Sequence, residues 1–276
     1  MTETTFSPQL LSGKRILITG GGTGLGRGVA RHLVDHGAEV HLWGRREAVL
    51  SEAAAEASAS RPGSVHFHTV DVRDYDNVDE TMGRIWDDHG PPLTGVVNNA
   101  AANFIAQTKD LSPPRLLRNH QHRDERFLPH HARRWKALDR RRIAGFCPFD
   151  AHHLGMDGGV GVRRPLGHGE GSRSLDDDVA GRRVGQAQHP RQCRCPPGPI
   201  PTDYAWEMLN PTDKSSVGAT QADQIPAGRT GTMEELANLT MFLLSDACDY
   251  LTGQTIAMDG GSDAGGPPAP SPVSPT

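Results

Sequence analysis

A short apolar run, a glycine-rich turn and a helical pattern follow one another near the start of this chain. Arg15–Thr19 has the apolar centre Ile-Leu-Ile and stops at glycine, which is typical of a buried parallel strand. Residues 20–26 form the glycine-rich turn, and a helix-spaced apolar pattern continues to Gly37. A strand that enters a helix through such a turn is the first unit of an open α/β sheet. We therefore predict an α/β fold with a Rossmann-type, doubly wound parallel sheet in one domain.

The glycine turn is a candidate pyrophosphate site. Glycine lets the backbone approach a phosphate closely, and the N-terminus of the following helix offers N–H donors and partial positive charge. The alternative is a purely structural turn, but the strand and helix on either side favour dinucleotide binding. The residues predicted to line this part of the site are Gly20, Thr23, Gly24, Leu25 and Gly26.

The next two predicted strands supply candidates for the adenosine end of the nucleotide. The strand over residues 38–43 is followed by Arg45, where an NAD enzyme usually carries an acid that binds the ribose 2′-OH. Arginine there suits the 2′-phosphate of NADP, although it can also be an ordinary solvated surface residue. The strand over 65–70 ends at Asp71 and Val72, which could face adenine, although Asp is also common in turns. A helix over 77–88 and a fourth strand over 93–97 complete this half.

Four ordered motifs resemble the short-chain dehydrogenase/reductase family. They are the glycine motif over 19–26, Asn98-Asn99-Ala100-Ala101, the segment 197–202, and the last strand and turn over 250–261. The resemblance covers about residues 13–112 and 196–261. Within the family the chain is most similar to the 2,4-dienoyl-CoA reductases, on the stretches 20–26, 98–105, 197–200 and 225–239.

The resemblance implies a cofactor, a substrate and further site residues. It implies NADP as the cofactor, with NAD possible, an unsaturated acyl-CoA as the substrate, and a homo-oligomer. An alcohol or a 3-hydroxyacyl/ketoacyl dehydrogenase of the same family is the alternative. Asn99 with Ala100 would lie by the ribose. The residues expected near the nicotinamide are Pro197, Gly198, Ile200 and Thr202.

Residues 113–195 differ sharply in composition from both flanks. They hold 16 of the 25 Arg, 8 of the 14 His and 3 of the 4 Cys, and no Tyr. The resemblance implies a proton-donating Tyr, usually four residues before a Lys that lowers the phenol pKa from about 10. The chain has only three tyrosines, and the residues four positions after them are Asp79, Met208 and Gln254. We therefore assign no catalytic residue.

The genetic code suggests why the catalytic helix is missing. If residues 162–171 are read one nucleotide later, degenerate codons permit Tyr-Val-Val-Pro-Ser-Ala-Met-Gly-Lys-Ala, which resembles the active-site helix of the dienoyl-CoA reductases. The same shift permits Ala-Val-Ala-Pro over 193–196 and a plausible helix over 119–128. Our hypothesis is that residues from about 113 to 195 are translated out of frame. The alternative, a polar insertion domain, would lengthen the chain rather than replace a core segment.

An out-of-frame segment would leave the chain defective. Because central strands of a parallel sheet are continuous apolar runs, a stretch such as residues 160–165 cannot serve as one, and burying its charges would cost several kcal/mol each. We expect 113–195 to be disordered or misfolded, the chain to be unstable or aggregated, and the family's oligomer to be doubtful here. A third hypothesis is a non-catalytic dinucleotide-binding protein that uses the retained N-terminal half.

Several other functions are not indicated. The net charge is −4, and the arginine runs of the middle segment follow from a shifted frame, so we predict no nucleic-acid partner. Cys193-x-Cys195 lacks a second ligand pair, so we predict no metal site. Neither a secretory signal nor an 18-residue apolar stretch is present, so we expect no membrane association and a cytoplasmic location. The domain is expected over 13–261, between a tail over 1–12 and a disordered tail over 262–276.

Overall fold

A five-stranded parallel sheet forms the centre of the fold. The computed structural model describes residues 6–87, 93–100, 146–148, 193–195, 198–202, 222, 225–251 and 254–262. The spatial order of the strands is β3-β2-β1-β4-β5, and every neighbouring pair is parallel. The strands are β1 (Arg15–Thr19), β2 (Glu39–Gly44), β3 (Val65–Thr69), β4 (Gly95–Asn98) and β5 (Phe146–Pro148). A second, two-stranded parallel sheet pairs β6 (Cys193–Arg194) with β7 (Gln254–Thr255).

Helices cover both faces of the central sheet. They are α1 (Gly24–Asp35), α2 (Glu47–Ala57), α3 (Tyr75–Asp87) and α4 (Met233–Leu244), with a short 3-10 helix over Asp246–Cys248. One core places β-strand side chains such as Ile18 and Leu42 in the same cluster as buried residues of α1, α2 and α4. The other places Leu17 and Trp43 against α3. β1 is buried along its whole length, as expected of a central parallel strand, and the predicted doubly wound α/β fold is confirmed.

The sequence patterns located the N-terminal elements to within two residues or so. The first strand was predicted with its observed bounds, and the later strands begin or end one or two residues from the predicted positions. Helix α2 was not predicted, because its small alanines give it only a weak apolar stripe. Among the described residues no helix is both long enough and apolar enough to span a membrane.

Two short strands within residues 113–195 belong to the described fold. The apolar strand β5 pairs with β4, and β6 lies close to β5 while pairing with β7. β5 has three residues and β6 has two, so neither needs the continuous apolar pattern of a long buried strand. The rest of 113–195, including the stretch 160–165, lies outside the described residues, as do 1–5 and 263–276 of the expected tails.

A polar group interrupts the α3 face of the sheet. Arg15 is almost fully buried, and its guanidinium donates to the Glu39 carboxylate (2.8 Å) and to the Ile85 carbonyl (3.0 Å). His41 is also buried, and it lies 3.2 Å from the same carboxylate. Burial, and then the positive charge of Arg15, lower the pKa of His41 to about 3, so its imidazole is neutral near pH 7.

Helix α4 begins with a complete capping box. The Thr232 hydroxyl accepts from the Glu235 backbone N–H (3.1 Å), and the Glu235 carboxylate accepts from the Thr232 backbone N–H (2.9 Å). The same carboxylate binds the Arg229 guanidinium. Mainly the Arg229 hydrogen bonds, and then the Thr232 backbone bond, lower the pKa of Glu235 to about 2. Two N–H groups at the start of this helix, those of Thr232 and Glu235, are therefore satisfied within the protein.

This capping box predicts a pH dependence of stability. The lowered pKa means that ionised Glu235 stabilises the fold above its ordinary pKa of 4.5, and that this contribution is lost as the pH falls toward about 2. We expect Glu235→Gln, which can still cap the helix, to make the free energy of unfolding fall less steeply between those values. Urea denaturation at several pH values would measure it. Glu234→Gln, outside the box, is the control, and equal slopes for all three proteins would contradict the prediction.

Candidate dinucleotide site

The predicted site residues of the N-terminal half gather at one edge of the sheet. Strands β1 to β4 are parallel, so their carboxyl ends meet at the same edge. The glycine turn follows β1, Arg45 follows β2, Asp71 comes two residues after β3, and Asn99 follows β4. Ligands of open α/β sheets bind in the crevice outside this edge.

The glycine turn has a backbone that only glycine adopts easily. Gly20 and Gly24 have φ values of +66° and +54°, in the left-handed region. The Gly21 N–H donates to the Trp43 carbonyl (3.1 Å), which ties the turn to the end of β2. Beyond Gly24 lies open space: the one described atom within 4 Å of an added Cβ is the Thr202 hydroxyl, at 3.8 Å. The turn therefore leaves room for a ligand over its outer surface.

The N-terminus of α1 has no side-chain cap, whereas the N-terminus of α4 has a complete capping box. Thr23 is the N-cap residue, yet its side chain makes no cap hydrogen bond, and the first turn of α1 contains no acidic residue. The N–H groups of an uncapped first turn, together with the helix dipole, favour an anion. Leu25 lies in this turn and packs in part against the α1 core. The pyrophosphate of a dinucleotide fits these donors.

Gly26 is the most tightly enclosed residue of the motif. A Cβ atom built on it would lie 2.5 Å from the Gly20 carbonyl oxygen and 2.5 Å from the Asn99 side-chain nitrogen. Both distances are far below van der Waals contact, and one neighbour is backbone. The first turn of α1 can therefore rest directly on the end of β1 because residue 26 has no side chain.

Asn99 holds the glycine turn from within. Its side-chain amide donates to the carbonyl oxygens of Thr19 (3.0 Å) and Gly20 (3.1 Å). The backbone N–H groups of Asn99 and Ala100 both donate to the Thr19 hydroxyl, each at 3.0 Å. The hydroxyl in turn donates to the Asn98 side chain (3.1 Å). The structure thus uses the amide N–H groups of Asn99, expected near the ribose, to shape the turn.

Arg45 and Asp71, the residues predicted for the adenosine end, lie just after β2 and β3. Arg45 is exposed at the end of β2. The Asp71 carboxylate accepts from the Arg73 side chain (2.9 Å) and backbone (3.0 Å), and mainly the Arg73 bonds lower its pKa to about 2. Because Arg73 holds both carboxylate oxygens, an adenine amino group would have to share them. Val72 is partly buried against the α3-side core.

The C-terminal segment reaches the glycine turn from the other side. The Gly198 N–H donates to the Met258 carbonyl (2.7 Å), and a Cβ on Gly198 would lie 2.7 Å from the Asp259 backbone. Ile200 is 7% exposed and belongs to the α1-side core. This packing brings Thr202 beside Gly24. Pro197 lies outside the described residues.

Sequence reasoning missed two residues that organise this edge. Thr19 was noted only as the first member of the glycine motif, and Arg73 was not noted at all. Thr19 is a polar residue at the end of an otherwise apolar strand, which is a usable signal of a buried hydrogen-bond role. Arg73 binds the carboxylate of Asp71, two residues earlier, and no comparable sequence pattern indicates that contact.

The described residues do not assemble a catalytic pair. The side chain of Tyr250 is fully exposed. The side chain of Tyr75 and all of Tyr204 lie outside the described part of the structure, as does Lys136. Within its described residues the structure assembles a candidate dinucleotide site, and the groups that would act on a substrate are not among those residues.

Two family models match this chain. A model described as short chain dehydrogenase matches residues 14–119, and one described as Enoyl-(Acyl carrier protein) reductase matches residues 189–263. Residues 120–188 separate the two matched stretches. The matches coincide with the two flanks on which the motifs were found.

Curated relatives and a solved structure agree with the family models. A protein of Caenorhabditis elegans named probable 2,4-dienoyl-CoA reductase 3 is 30% identical, over 91% of this chain and 81% of the relative. A probable 2,4-dienoyl-CoA reductase of Bacillus subtilis is 30% identical, over 90% of this chain and 96% of the relative. The crystal structure of a short chain dehydrogenase from Bacillus anthracis is 28% identical, with a TM-score of 0.72, covering 92% of this chain and 98% of that one. This chain belongs to the short-chain dehydrogenase/reductase family, close to the 2,4-dienoyl-CoA reductases.

Proposed function

We propose that this chain derives from an NADPH-dependent reductase of unsaturated acyl-CoA thioesters, of the 2,4-dienoyl-CoA type, and that the chain as written binds the dinucleotide without turning over substrate. The observation that carries the binding half is the start of α1. It is uncapped, free of acidic residues and preceded by a left-handed glycine turn, whereas α4 is closed by its own Thr232 and Glu235. The names of the relatives support the substrate class.

Arg45 supports NADP over NAD. It is exposed at the carboxyl end of β2, the position where an acid would bind the ribose 2′-OH. Its positive charge is close enough to Asp71 to contribute to the lowered pKa of that carboxyl. A guanidinium can bind a 2′-phosphate through two parallel hydrogen bonds. Because Arg73 binds the Asp71 carboxylate, it partly offsets the negative charge that would repel a 2′-phosphate.

The residues that hold the cofactor have separate tasks. Bound NADPH would supply a hydride to the substrate. Gly20, Gly24 and the first turn of α1 would hold its pyrophosphate, while Thr202 and Ile200 would lie beside its carboxamide. Proton transfer needs an acid near the reacting atoms, and the chain as written offers neither the tyrosine nor the lysine of the family. The reaction would therefore stop at the proton-transfer step.

A shifted reading frame accounts for the missing acid. The two family-model matches end and resume close to the predicted limits of 113 and 195. The match to the Bacillus subtilis relative covers 90% of this chain and 96% of the relative. This similar coverage of both chains favours an out-of-frame segment over an insertion domain.

A non-catalytic dinucleotide-binding protein is the second candidate. The absence of the Tyr and Lys pair favours it, because the binding edge is built almost entirely from the N-terminal half. Saturable NADPH binding with no turnover, in a protein whose peptides across 113–195 match the residues as written, would favour it over a mis-read reductase.

Peptide mapping by mass spectrometry of the protein from its native source is the first test. We expect peptides across residues 113–195 that match the shifted frame. That protein should oxidise NADPH with a 2,4-dienoyl-CoA, and a preference for a ketone or 3-ketoacyl thioester would replace the proposed substrate. Peptides that match the residues as written would show that the cell makes a protein without the catalytic helix, whose function must come from binding alone.

Replacing Gly26 should abolish cofactor binding. In Gly26→Ala the new methyl would collide with the Gly20 carbonyl and the Asn99 amide, which deforms the turn that receives the pyrophosphate. Gly28→Ala is the matched control, since the methyl there meets the flexible Met233 side chain. NADPH titration by calorimetry should show loss of binding for the first variant and near-normal binding for the second. Equal affinities would contradict the assigned role.

Replacing Arg45 should weaken NADPH more than NADH. A charge-assisted bond to the 2′-phosphate is worth about 1.5–3 kcal/mol, so Arg45→Ala should lower NADPH affinity by roughly tenfold or more and leave NADH affinity unchanged. Arg84→Ala removes an arginine of α3 whose described partner is Glu80, and it serves as the charge control. A parallel loss of both nucleotides would show that Arg45 does not contact the 2′-phosphate.

A further inference from the structure

Three imidazoles lie in a row on the α3 face of the sheet. The β2–β3 register places His41 opposite His66, and the two rings stack with centroids 4.9 Å apart. The His68 ring is nearly parallel to that of His41, with centroids 5.3 Å apart. His41 is buried, whereas the His66 side chain is 43% exposed. The row therefore leads from the sheet interior to solvent.

Glu39 completes a compact set of donor atoms. Its Oε1 atom lies 3.2 Å from His41 Nε2 and 3.5 Å from His66 Nε2. The ligand atoms of the three residues all fall within 4.8 Å of one another. Ligands at about 2.0–2.2 Å around a tetrahedral zinc ion are about 3.3 Å apart, which is close to the two distances measured from Glu39.

We propose that Glu39, His41 and His66 form a binding site for Zn²⁺ or a chemically similar divalent transition metal. Two imidazoles and one carboxylate are a common ligand set for such ions. The exposed side of His66 leaves a fourth position open to water. The site is independent of the proposed cofactor function.

Two neighbours would orient the ligands. His68 Nε2 lies 3.0 Å from His41 Nδ1, so the ring nitrogen that does not face Glu39 is already hydrogen-bonded. Metal-binding histidines usually have such a second partner. Arg15 donates to Glu39 and fixes the carboxylate, but its positive charge opposes a dication. We therefore expect weaker binding than at a closed four-ligand zinc site.

The position of the cluster indicates a stabilising role. Arg15 and Glu39 are the first residues of β1 and β2, so the cluster lies toward the amino ends of the strands, away from the glycine turn. A metal ion there would join the edge strand β3 to β2. It would not contact a nucleotide at the opposite edge of the sheet.

Site-resolved histidine labelling tests the proposal, because eight other histidines lie in 113–195 and could bind metal elsewhere. The full-length protein is treated with diethylpyrocarbonate, with and without Zn²⁺, and mapped by mass spectrometry. We expect Zn²⁺ to slow the labelling of His66 several-fold. His36, on α1 and hydrogen-bonded to the His32 carbonyl, is the internal control and should not change. Unchanged labelling of His66 at saturating Zn²⁺ would overturn the proposal.

Two variants separate coordination from nonspecific protection. Glu39→Gln keeps an acceptor for Arg15 but loses the charged ligand, so protection of His66 should disappear. If that variant does not fold, His66→Gln at the exposed ligand provides the second measurement, and the increase in melting temperature caused by Zn²⁺ should shrink. Full protection in a folded Glu39→Gln protein, or an unchanged thermal shift in His66→Gln, would refute the site.

Discussion

The hydrogen bonds between the end of β1 and the loop after β4 are the constraint on which the nucleotide-binding edge depends. The Thr19 hydroxyl accepts two backbone N–H groups, and the Asn99 amide donates to two carbonyl groups of the turn. Each such bond contributes about 0.5–1.5 kcal/mol net, but an unpaired buried group would cost more. These hydrogen bonds therefore act mainly by holding the glycine turn in one conformation, and they add less to the stability of the fold.

The N-termini of α1 and α4 differ in how their N–H groups are satisfied. At α4 the capping box of Thr232 and Glu235 binds N–H groups within the protein. At α1 it supplies glycines in place of a cap and no acid, so an external anion is the natural partner. Gly28 lets Met233, at the start of α4, pack closely against α1, so the two ends belong to one packed unit.

The described fold draws on both flanks, because the α1-side core combines residues of α1 and α2 with residues of α4. The family relationship is therefore evident although residues 113–195 contain no Tyr. In a parallel sheet each strand contributes separately to the carboxyl edge, so a binding edge can persist where the reacting groups are lost.

The sequence by itself determined the fold class, the order of the N-terminal elements and the glycine turn. These depend on local periodicity and on glycines at fixed spacing, which are visible along the chain. The tertiary structure alone decided that Asn99 braces the turn and that Arg73 clamps Asp71. It also decided that Glu39, His41 and His66 converge. The first and last of these depend on strand register and on contacts between residues distant in sequence, which no local pattern records.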